Sequence, residues 1–328
     1  MEWWQMTLYI LFLVIGMAML VKGADWFVDG ASKIAKALKI PSLIIGLTLV
    51  SMGTSAPEAA VSLTSAIHQN VEMSVGNVVG SNIFNTLFIL GISAMLVPLV
   101  ISRDMRRYDI PIMLGLYGVM AAFCFLITPR VLDRAEAGVL LALFAAYMVF
   151  LVLRAKKTAS EGAELLEEEA ENTPIWKAIL FTALGLAAII AGGTFSVDCA
   201  EKLALEWGMS ESLVGLTILA VGTSLPELVT SIVASIKKEN DIAIGNVVGS
   251  NIFNIMFILG LSALITPHAL ASDAALTVGV MLGSGAVMLC IGLLCKNMKK
   301  WQGGLMLTAY LAFLVLLILQ DYKIISLF

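Results

Sequence analysis

Long apolar segments, separated by short polar ones, follow one another along nearly the whole chain. Ten of them are long enough to cross the hydrocarbon core of a membrane as a helix, which takes roughly 20 residues. They span residues 6–27, 41–67, 73–98, 109–128, 135–153, 176–197, 210–236, 242–267, 272–294 and 303–320. The pattern predicts an all-α polytopic membrane protein with ten transmembrane helices.

Composition excludes an ordinary soluble domain. Hydrophobic residues make up 59% of the 328 residues and charged residues only 13%, whereas soluble domains carry about a quarter charged residues. The first apolar segment has no small-residue cleavage site, so we expect it to be a retained span. Four cysteines lie in or near apolar segments without the spacing of metal ligands, which predicts core packing rather than disulfides. They are Cys124, Cys199, Cys290 and Cys295.

One clearly soluble segment divides the chain. It covers residues 154–174 and contains six glutamates. We interpret it as an acidic cytoplasmic connector between two units of five spans, 1–153 and 175–328. A calcium-sensing role would need the Asp/Gly spacing of a calcium-binding loop, which this segment lacks.

Basic residues orient the chain, because cytoplasmic loops carry an excess of Lys and Arg. If the N-terminus lies outside, fifteen basic residues fall on the cytoplasmic side and four on the outer side, with Lys22 near a helix end. The fifteen are Lys33, Lys36, Lys39, Arg103, Arg106, Arg107, Arg154, Lys156, Lys157, Lys177, Lys237, Lys238, Lys296, Lys299 and Lys300, and the four are Arg130, Arg134, Lys202 and Lys323. We therefore expect a multi-pass protein of the inner (plasma) membrane with both termini outside.

The two halves of the chain repeat each other at an offset of 169 residues. They align without a gap from Gly23, which matches Gly192, through Pro98, which matches Pro267. From Gly76 onward, seventeen of twenty-three positions are identical. Because five spans is an odd number, the second half must enter the membrane from the opposite side. Inverted repeats of this kind build many secondary transporters, whose sites lie near the bilayer midplane. A duplication kept for folding symmetry alone is the alternative, but the identity concentrates on polar rather than packing residues.

Each half contains a carboxylate, a proline and two hydroxyls inside an apolar span. The segments are TSAPE at 54–58 and TSLPE at 223–227. A proline within a span frees the carbonyl four residues earlier, here at Gly53 and Gly222. A free carbonyl beside a carboxylate and hydroxyls offers the all-oxygen environment that Ca²⁺ and Na⁺ prefer. A kink satisfied by the threonine hydroxyl is the alternative, and the glutamate argues against it.

The two glutamates carry this hypothesis. Charged side chains are costly in a membrane and usually functional, and two carboxylates brought together repel unless a cation or a proton lies between them. The two negative charges can therefore be balanced either by one divalent cation or by two monovalent cations, and these alternatives compete for the same site. The candidate ligands are Glu58 and Glu227 with the hydroxyls of Thr54, Ser55, Thr223 and Ser224.

An identical run, GNVVGSNIFN, follows in both halves at 76–85 and 245–254. Its glycines, four apart, allow helices to approach closely. Its serine and last asparagine are also four apart and share a helical face, so they could supply neutral oxygens. These candidates are Ser81, Asn85, Ser250 and Asn254. Interhelical hydrogen bonding is an equally good interpretation of the other asparagines, Asn77, Asn82, Asn246 and Asn251.

The pairing of GTSAPE and GTSLPE with GNVVGSNIFN resembles the two α-repeats of the cation/calcium exchanger superfamily, and most of all its prokaryotic sodium/calcium antiporters. The resemblance covers nearly all ten spans and implies an inverted five-plus-five arrangement. It implies Glu58 and Glu227 as central ligands and adds oxygens from Ser51 and Ala220 to the hydroxyls already named. The run GADWFVDGA at 23–31 is similar to the family's gating first helix. The first and sixth helices are then expected to slide against the remaining bundle.

One position departs from the family. Members of the sodium/calcium type often carry aspartate where this chain has Asn254. Because the first half has Asn85 at the matching position, the site is more symmetric than in those members. It also has one carboxylate fewer. The coupling ion (Na⁺, H⁺ or K⁺) stays open at this point.

The leading functional hypothesis is a secondary antiporter that exports Ca²⁺ in exchange for Na⁺ by alternating access. A Ca²⁺/H⁺ or K⁺-coupled exchanger on the same fold is its nearest alternative. A channel suits two repeats in one chain less well, and an intramembrane hydrolase would need a nucleophile–base pair, whereas His68 and His268 fall at span ends. We expect Ca²⁺ and Na⁺ as substrates, contact with membrane lipid, and no enzyme activity, cofactor, nucleic acid or obligate protein partner.

Overall fold

The computed structural model describes residues 3–69, 71–127, 131–161, 174–208, 220–269 and 274–321. Helices make up almost all of this part of the chain. In order they are α1 Trp3–Ala37, α2 Ser42–Thr54, α3 Ala56–Ile67, α4 Val71–Ile83 with its continuation through Phe84–Ile89 to Leu90–Leu96, α5 Met105–Ile127, α6 Arg134–Glu161, α7 Ile175–Glu206, α8 Ala220–Gly222, α9 Leu225–Ile236, α10 Asn240–Ile265, α11 Ala274–Leu294 and α12 Lys300–Asp321. The fold is therefore that of an all-α polytopic membrane protein.

Within the described residues, eight helices are long and apolar enough to cross a membrane by themselves. Helices α2 and α3, which meet at a bend of 50°, are together long and apolar enough for a ninth span. The predicted span 210–236 is described only from Ala220 onward, and its first part lies outside the described residues. The count of ten spans and their inverted arrangement stay predictions.

Positions 169 residues apart adopt the same local structure. Backbones with positive φ occur at Lys39 (55°) and Gly208 (87°), and again at Gln69 (62°) and Lys238 (63°). Each of these residues follows the end of a helix, where a left-handed residue commonly stops the helix. The repeated sequence thus produces repeated helix ends.

Helices α1 and α7 pack closely as an antiparallel pair. Along α1, Gly16, Gly23 and Gly30 are seven residues apart. A Cβ atom added at Gly23 would lie 2.8 Å from the carbonyl oxygen of Gly185, and one added at Gly16 would lie 2.9 Å from that of Gly192. Small residues of this kind let two membrane helices approach until their backbones touch.

The glycine pair of the second half, Gly245 and Gly249, also allows two helices to pack closely. A Cβ added at Gly245 would lie 3.1 Å from the Cα of Gly46, and one added at Gly249 would lie 2.8 Å from the Cα of Leu47. Helix α10 therefore lies directly against α2, as the four-residue glycine spacing predicts. This contact brings the second half's GNVVGSNIFN run beside the first half's broken span.

Two short sheets join the ends of distant helices. β1 Leu99–Val100 pairs antiparallel with β4 Asn297–Met298. β2 Val131–Leu132 pairs antiparallel with β3 His268–Ala269. Each sheet connects one half of the chain to the other at a helix end.

Two sequence-based expectations, for Arg154 and Lys22, need correction. Arg154 does not begin a solvated connector: α6 continues to Glu161, and the Arg154 side chain is only 10% exposed because it forms a 2.9 Å salt bridge with the fully buried Asp109. Residues 162–173 of the predicted connector lie outside the described residues. Lys22 lies within α1 rather than near its end, and its ammonium contacts Asp25 Oδ2 at 2.7 Å.

The cysteines differ from one another. Cys199 is buried, as core packing predicts, whereas Cys290 is exposed and Cys295 is half-buried. All three are free thiols. Cys290 is therefore no core residue; it lies on the outer surface of an apolar helix, where an uncharged thiol is tolerated.

Candidate cation site

Two helix starts position the glutamates. The break between α2 and α3 falls at Ser55 (φ −80°, ψ 8°), and Glu58 lies in the first turn of α3. The break before α9 falls at Ser224 (φ −92°, ψ 7°), and Glu227 lies in the first turn of α9. In both helices a proline occupies one of the first two positions. The backbone N–H that proline lacks would have no acceptor within the helix at that position, so proline is well tolerated there. A helix N-terminus favours negative charge, so the break helps to accommodate each carboxylate.

The predicted free carbonyl at Gly53 is wrong. Its oxygen accepts a backbone N–H at the end of α2. A tighter turn at a helix end re-engages carbonyls that lose their usual donor. A carbonyl oxygen has two lone pairs, so this one hydrogen bond lowers the capacity of the Gly53 oxygen to bind a cation but does not remove it.

Each carboxylate is bound by a serine of the other half. Ser55 Oγ donates a 2.7 Å hydrogen bond to Glu227 Oε1, and Ser224 Oγ donates a 2.8 Å hydrogen bond to Glu58 Oε1. Both glutamates are fully buried. Neither Oε2 atom has a hydrogen-bond partner among the described residues.

Two threonines and two asparagines form hydrogen bonds at the helix breaks that precede α3 and α9. Thr54 Oγ1 donates to Asn246 Oδ1 at 3.0 Å, and the matching pair, Thr223 Oγ1 and Asn77 Oδ1, lies at 3.4 Å. The amide of Asn246 in turn donates to the carbonyl oxygen of Glu227 at 3.4 Å, as that of Asn77 does to Glu58 at 3.3 Å. Both asparagines thus bind backbone and hydroxyl groups that hold the glutamates in place.

Two further predicted ligands, Ser81 and Ser250, lie beside the groups just described. Ser81 Oγ is 3.1 Å from Ser224 Oγ, and Ser250 Oγ is 3.5 Å from Glu227 Oε1. Ser250 Oγ also lies 3.3 Å from the carbonyl oxygen of Ser51. Ala220 is the first described residue of its span, in α8, and nothing is described of its side chain.

Asn85 and Asn254 are fully buried at the start of two matching π-helical turns, Phe84–Ile89 and Asn254–Leu259. Turns of this type occur frequently at functional sites. The first turn packs against α9, which carries Glu227, and the second packs against α3, which carries Glu58. The Oδ1 atoms of both asparagines have no hydrogen-bond partner in the described part of the chain.

The four unpartnered oxygens, two from carboxylates and two from amides, are of the chemical type that binds a hard cation. A buried polar atom without a partner is costly, and buried carboxylates normally pair with a cation. No cationic side chain acts on either glutamate among the described residues. Carboxylate and carbonyl oxygens with neighbouring hydroxyls are the donor set that Ca²⁺ and Na⁺ prefer.

Sequence reasoning missed two supporting residues. Ser62 Oγ accepts from the amide of Asn77 and Ser231 Oγ accepts from that of Asn246, both at 2.9 Å. A signal was present, because these serines also match at the offset of 169. Their position within apolar helices gave no further reason to single them out.

Comparisons with known proteins identify the family. The family model described as sodium/calcium exchanger protein matches residues 8–153 and 177–319, which is most of both halves. The chain belongs to the sodium/calcium exchanger family.

Similar proteins of this family cover the chain almost end to end. The putative antiporter CaxA of Alkalimonas amylolytica is 37% identical over 319 residues, covering 95% of this chain and 99% of that protein. The sodium/calcium exchanger MaX1 of Methanosarcina acetivorans is 35% identical and covers 95% of this chain and 99% of that protein. The inner membrane protein YrbG of Escherichia coli is 40% identical over 267 residues, covering 80% of this chain and 81% of that protein.

The exchanger fold is also found among solved structures. The sodium-calcium exchanger NCX_Mj, soaked with 2.5 mM Na⁺ and 0.1 mM Ca²⁺, superimposes with a TM-score of 0.80 at 27% identity. The match covers 93% of this chain and 97% of the other. This exchanger is therefore a multi-pass membrane protein with the NCX_Mj fold.

Proposed function

We propose that this exchanger is a secondary antiporter that exports Ca²⁺ in exchange for Na⁺, and that both ions bind between Glu58 and Glu227. One observation carries the proposal: the two carboxylates are fully buried and bound reciprocally by serines of the opposite half. The names of MaX1 and NCX_Mj, both sodium/calcium exchangers, support the choice of ions.

Charge balance makes the site an exchange site. Two carboxylates neutralise one Ca²⁺ or two Na⁺, and the same oxygens cannot hold both loads at once. Asn85 and Asn254 are neutral, so a third Na⁺ would give the sodium-loaded site a net positive charge. We therefore propose that the glutamate pair takes two Na⁺ in place of each Ca²⁺.

Alternating access is supported by the way α1 is attached at one end. Lys237, which follows α9, contacts Asp25 Oδ1 and Asp29 Oδ1 of α1 at 2.5 Å each. Nearby, Ser32 Oγ donates to Glu239 Oε1 at 2.8 Å. Under the predicted orientation these contacts lie on the cytoplasmic side and close the site from that side.

Within the described residues, the other half does not form the matching contact. At the offset of 169, Asp29 corresponds to Asp198 and Lys237 to His68. In the part of the chain that the structure describes, Asp198 and His68 form neither a hydrogen bond nor an ion pair with each other. We propose that the two halves exchange these roles during transport, as α1 and α7 move together as a closely packed pair.

Flux measurements in inverted membrane vesicles test the coupling ion. A Na⁺ gradient at fixed pH is expected to drive Ca²⁺ movement, and the movement should persist when the proton gradient is collapsed. A Ca²⁺ flux that does not depend on the Na⁺ gradient contradicts Na⁺ coupling.

A Ca²⁺/H⁺ exchanger is the second candidate, because two buried carboxylates that have no cationic partner among the described residues can also be neutralised by protons. In the same vesicles a pH gradient without Na⁺ would then drive the flux. Collapsing that gradient would stop it.

A further inference from the structure

The orientation of a buried asparagine amide follows from its neighbours. The amide has a carbonyl oxygen that only accepts hydrogen bonds and an NH₂ group that only donates them. A neighbour that can only accept therefore attracts the NH₂ group and turns the oxygen to the opposite side. Four buried asparagines at the ends of the GNVVGSNIFN runs orient one another in this way: Asn82, Asn85, Asn251 and Asn254.

Asn82 is oriented by a backbone carbonyl of the other half. Its Nδ2 donates to the carbonyl oxygen of Asn251 at 3.2 Å, and a carbonyl oxygen can only accept. Its Oδ1 consequently faces Asn254, whose Nδ2 donates to it at 3.0 Å. The NH₂ group of Asn254 is thereby engaged, and its Oδ1 is the atom left unpartnered among the described residues.

Asn251 is oriented in the same sense by different atoms. Its Nδ2 donates to Thr86 Oγ1 at 2.8 Å and to the thioether sulfur of Met113 at 3.5 Å. A thioether can only accept. Asn251 Oδ1 therefore accepts from Asn85 Nδ2 at 3.2 Å, and the Oδ1 of Asn85 is left unpartnered in the described structure.

We propose that Asn82 and Asn251 are positioning residues, which turn the amide oxygens of Asn254 and Asn85 toward the transported cation. The inference rests on the proposed function, because it needs a cation beside Glu58 and Glu227. It assigns a specific task to residues that do not reach the ion themselves. The pairing crosses between the halves: Asn251 acts on Asn85, and Asn82 acts on Asn254.

The orientation of these amides affects cation binding electrostatically. An amide turned the wrong way would direct N–H groups at the cation and remove an oxygen ligand. Residues that orient metal ligands typically contribute about 10- to 100-fold to metal affinity. All four asparagines are fully buried, so water has little access to correct a reversed amide.

The test is direct equilibrium binding of radioactive Ca²⁺ to the purified full-length protein in detergent without Na⁺. Asn251→Leu removes the acceptor for Asn85 and keeps a similar volume, and we expect Ca²⁺ affinity to fall about 10- to 100-fold. Asn251→Asp keeps an acceptor for Asn85, and Thr86 can donate to it in return. The aspartate variant should therefore regain most of the lost affinity.

A double-mutant cycle separates positioning from general stability, since residues that act through one another are not additive. In a protein that already carries Asn85→Leu, adding Asn251→Leu should lower Ca²⁺ affinity by less than about 2-fold. In a protein that carries Asn254→Leu, the same addition should keep its full effect. Full additivity in both backgrounds, or equal affinity of Asn251→Leu and the parent protein, overturns the positioning role.

Controls distinguish this role from unfolding and from failure of the proposed function. Ser284→Ala removes a buried hydroxyl that donates a 2.7 Å hydrogen bond to the carbonyl of Met281 within the same helix, and it should leave Ca²⁺ affinity unchanged. Asn251→Asp buries a carboxylate without a cation, so its Tm without Ca²⁺ should be no higher than that of Asn251→Leu, and a recovered affinity in the aspartate variant then cannot come from greater stability. A parent protein that binds neither Ca²⁺ nor Na⁺ overturns the proposed function and the inference together, whereas a Ca²⁺-binding parent with unaffected variants overturns the inference alone.

Discussion

Ser55 donates a 2.7 Å hydrogen bond to Glu227, a carboxylate that lies 172 positions further along the chain. Ser224 makes the matching 2.8 Å bond to Glu58. Each half therefore supplies a carboxylate and receives the donor for it from the other half. Neither half by itself holds its glutamate as the complete protein does.

Neutralising either carboxylate should abolish Ca²⁺ transport. Glu58→Gln and Glu227→Gln keep the side-chain shape but leave a single negative charge, which cannot balance a divalent ion in a buried site. Uptake of radioactive Ca²⁺ into inverted vesicles is the measurement, with protein abundance checked in the same membranes. Near-normal uptake by either variant contradicts a shared site.

Glu136→Gln is the matched control for that experiment. This carboxylate is also buried, at 5% exposure, but it accepts from the backbone N–H of Asp133 at the start of α6. Glutamine can accept the same hydrogen bond. Uptake should stay close to that of the unchanged protein.

Removing one of the crossed serine bonds should weaken Ca²⁺ binding without abolishing it. Hydrogen bonds to charged groups contribute about 1.5–3 kcal/mol, so Ser55→Ala and Ser224→Ala should each lower Ca²⁺ affinity roughly 10- to 100-fold. Binding titrations on purified protein check this. Ser93→Ala is the control, because Ser93 is equally buried and its hydroxyl has no partner in the described residues; an effect of similar size there would contradict a specific role for the crossed bonds.

Breaking the contacts of Lys237 should loosen the cytoplasmic end of α1. Partial burial acts to lower the pKa of Lys237, but hydrogen bonds to Asp25 and Asp29 outweigh it and raise the pKa above its ordinary value. The contact should therefore persist through neutral pH and be lost only as strongly alkaline pH removes the ammonium charge. Partly exposed ion pairs contribute about 0.2–1 kcal/mol each, so losing both in Lys237→Gln should shift the closed population roughly 2- to 30-fold.

Thiol labelling measures that shift. Val229 is 9% exposed and packs with residues of α1, so a Val229→Cys reporter in a cysteine-free background should react faster with an impermeant cytoplasmic reagent once Lys237 is replaced. Lys238→Gln changes the neighbouring lysine and should leave the labelling rate as it was. Equal rates for both variants contradict closure by Lys237.

The close contact between α1 and α7 predicts an effect of a single methyl group. Gly23→Ala places a Cβ 2.8 Å from the carbonyl oxygen of Gly185, which forces the backbones apart. Overpacking of this kind costs about 1–3 kcal/mol, and it should lower the Tm of the purified protein. At Gly118 no described atom lies within 4 Å of an added Cβ, so Gly118→Ala should leave the Tm unchanged, and equal Tm values for the two variants contradict the packing argument.

Much of the fold could be predicted because apolar length and helix-breaking residues act locally. The apolar segments correspond to the helices that the structure describes, and Pro57 does mark the broken span. Local patterns could not predict that the Gly53 carbonyl is re-engaged. They also could not predict that Arg154 is held by Asp109, 45 positions earlier, rather than by water.

The sequence by itself determined which polar groups lie inside apolar segments, because a carboxylate or amide is too costly there to occur twice at one offset without a use. It therefore singled out Glu58, Glu227, Asn85 and Asn254 as candidates, and the structure shows that all four are buried. Only the tertiary structure decided which groups meet, namely that Ser55 binds the opposite glutamate and that Asn251 turns the amide of Asn85. Hydrogen-bond partners in a helical membrane protein depend on how helices pack against each other, and that packing brings together residues that are far apart in sequence.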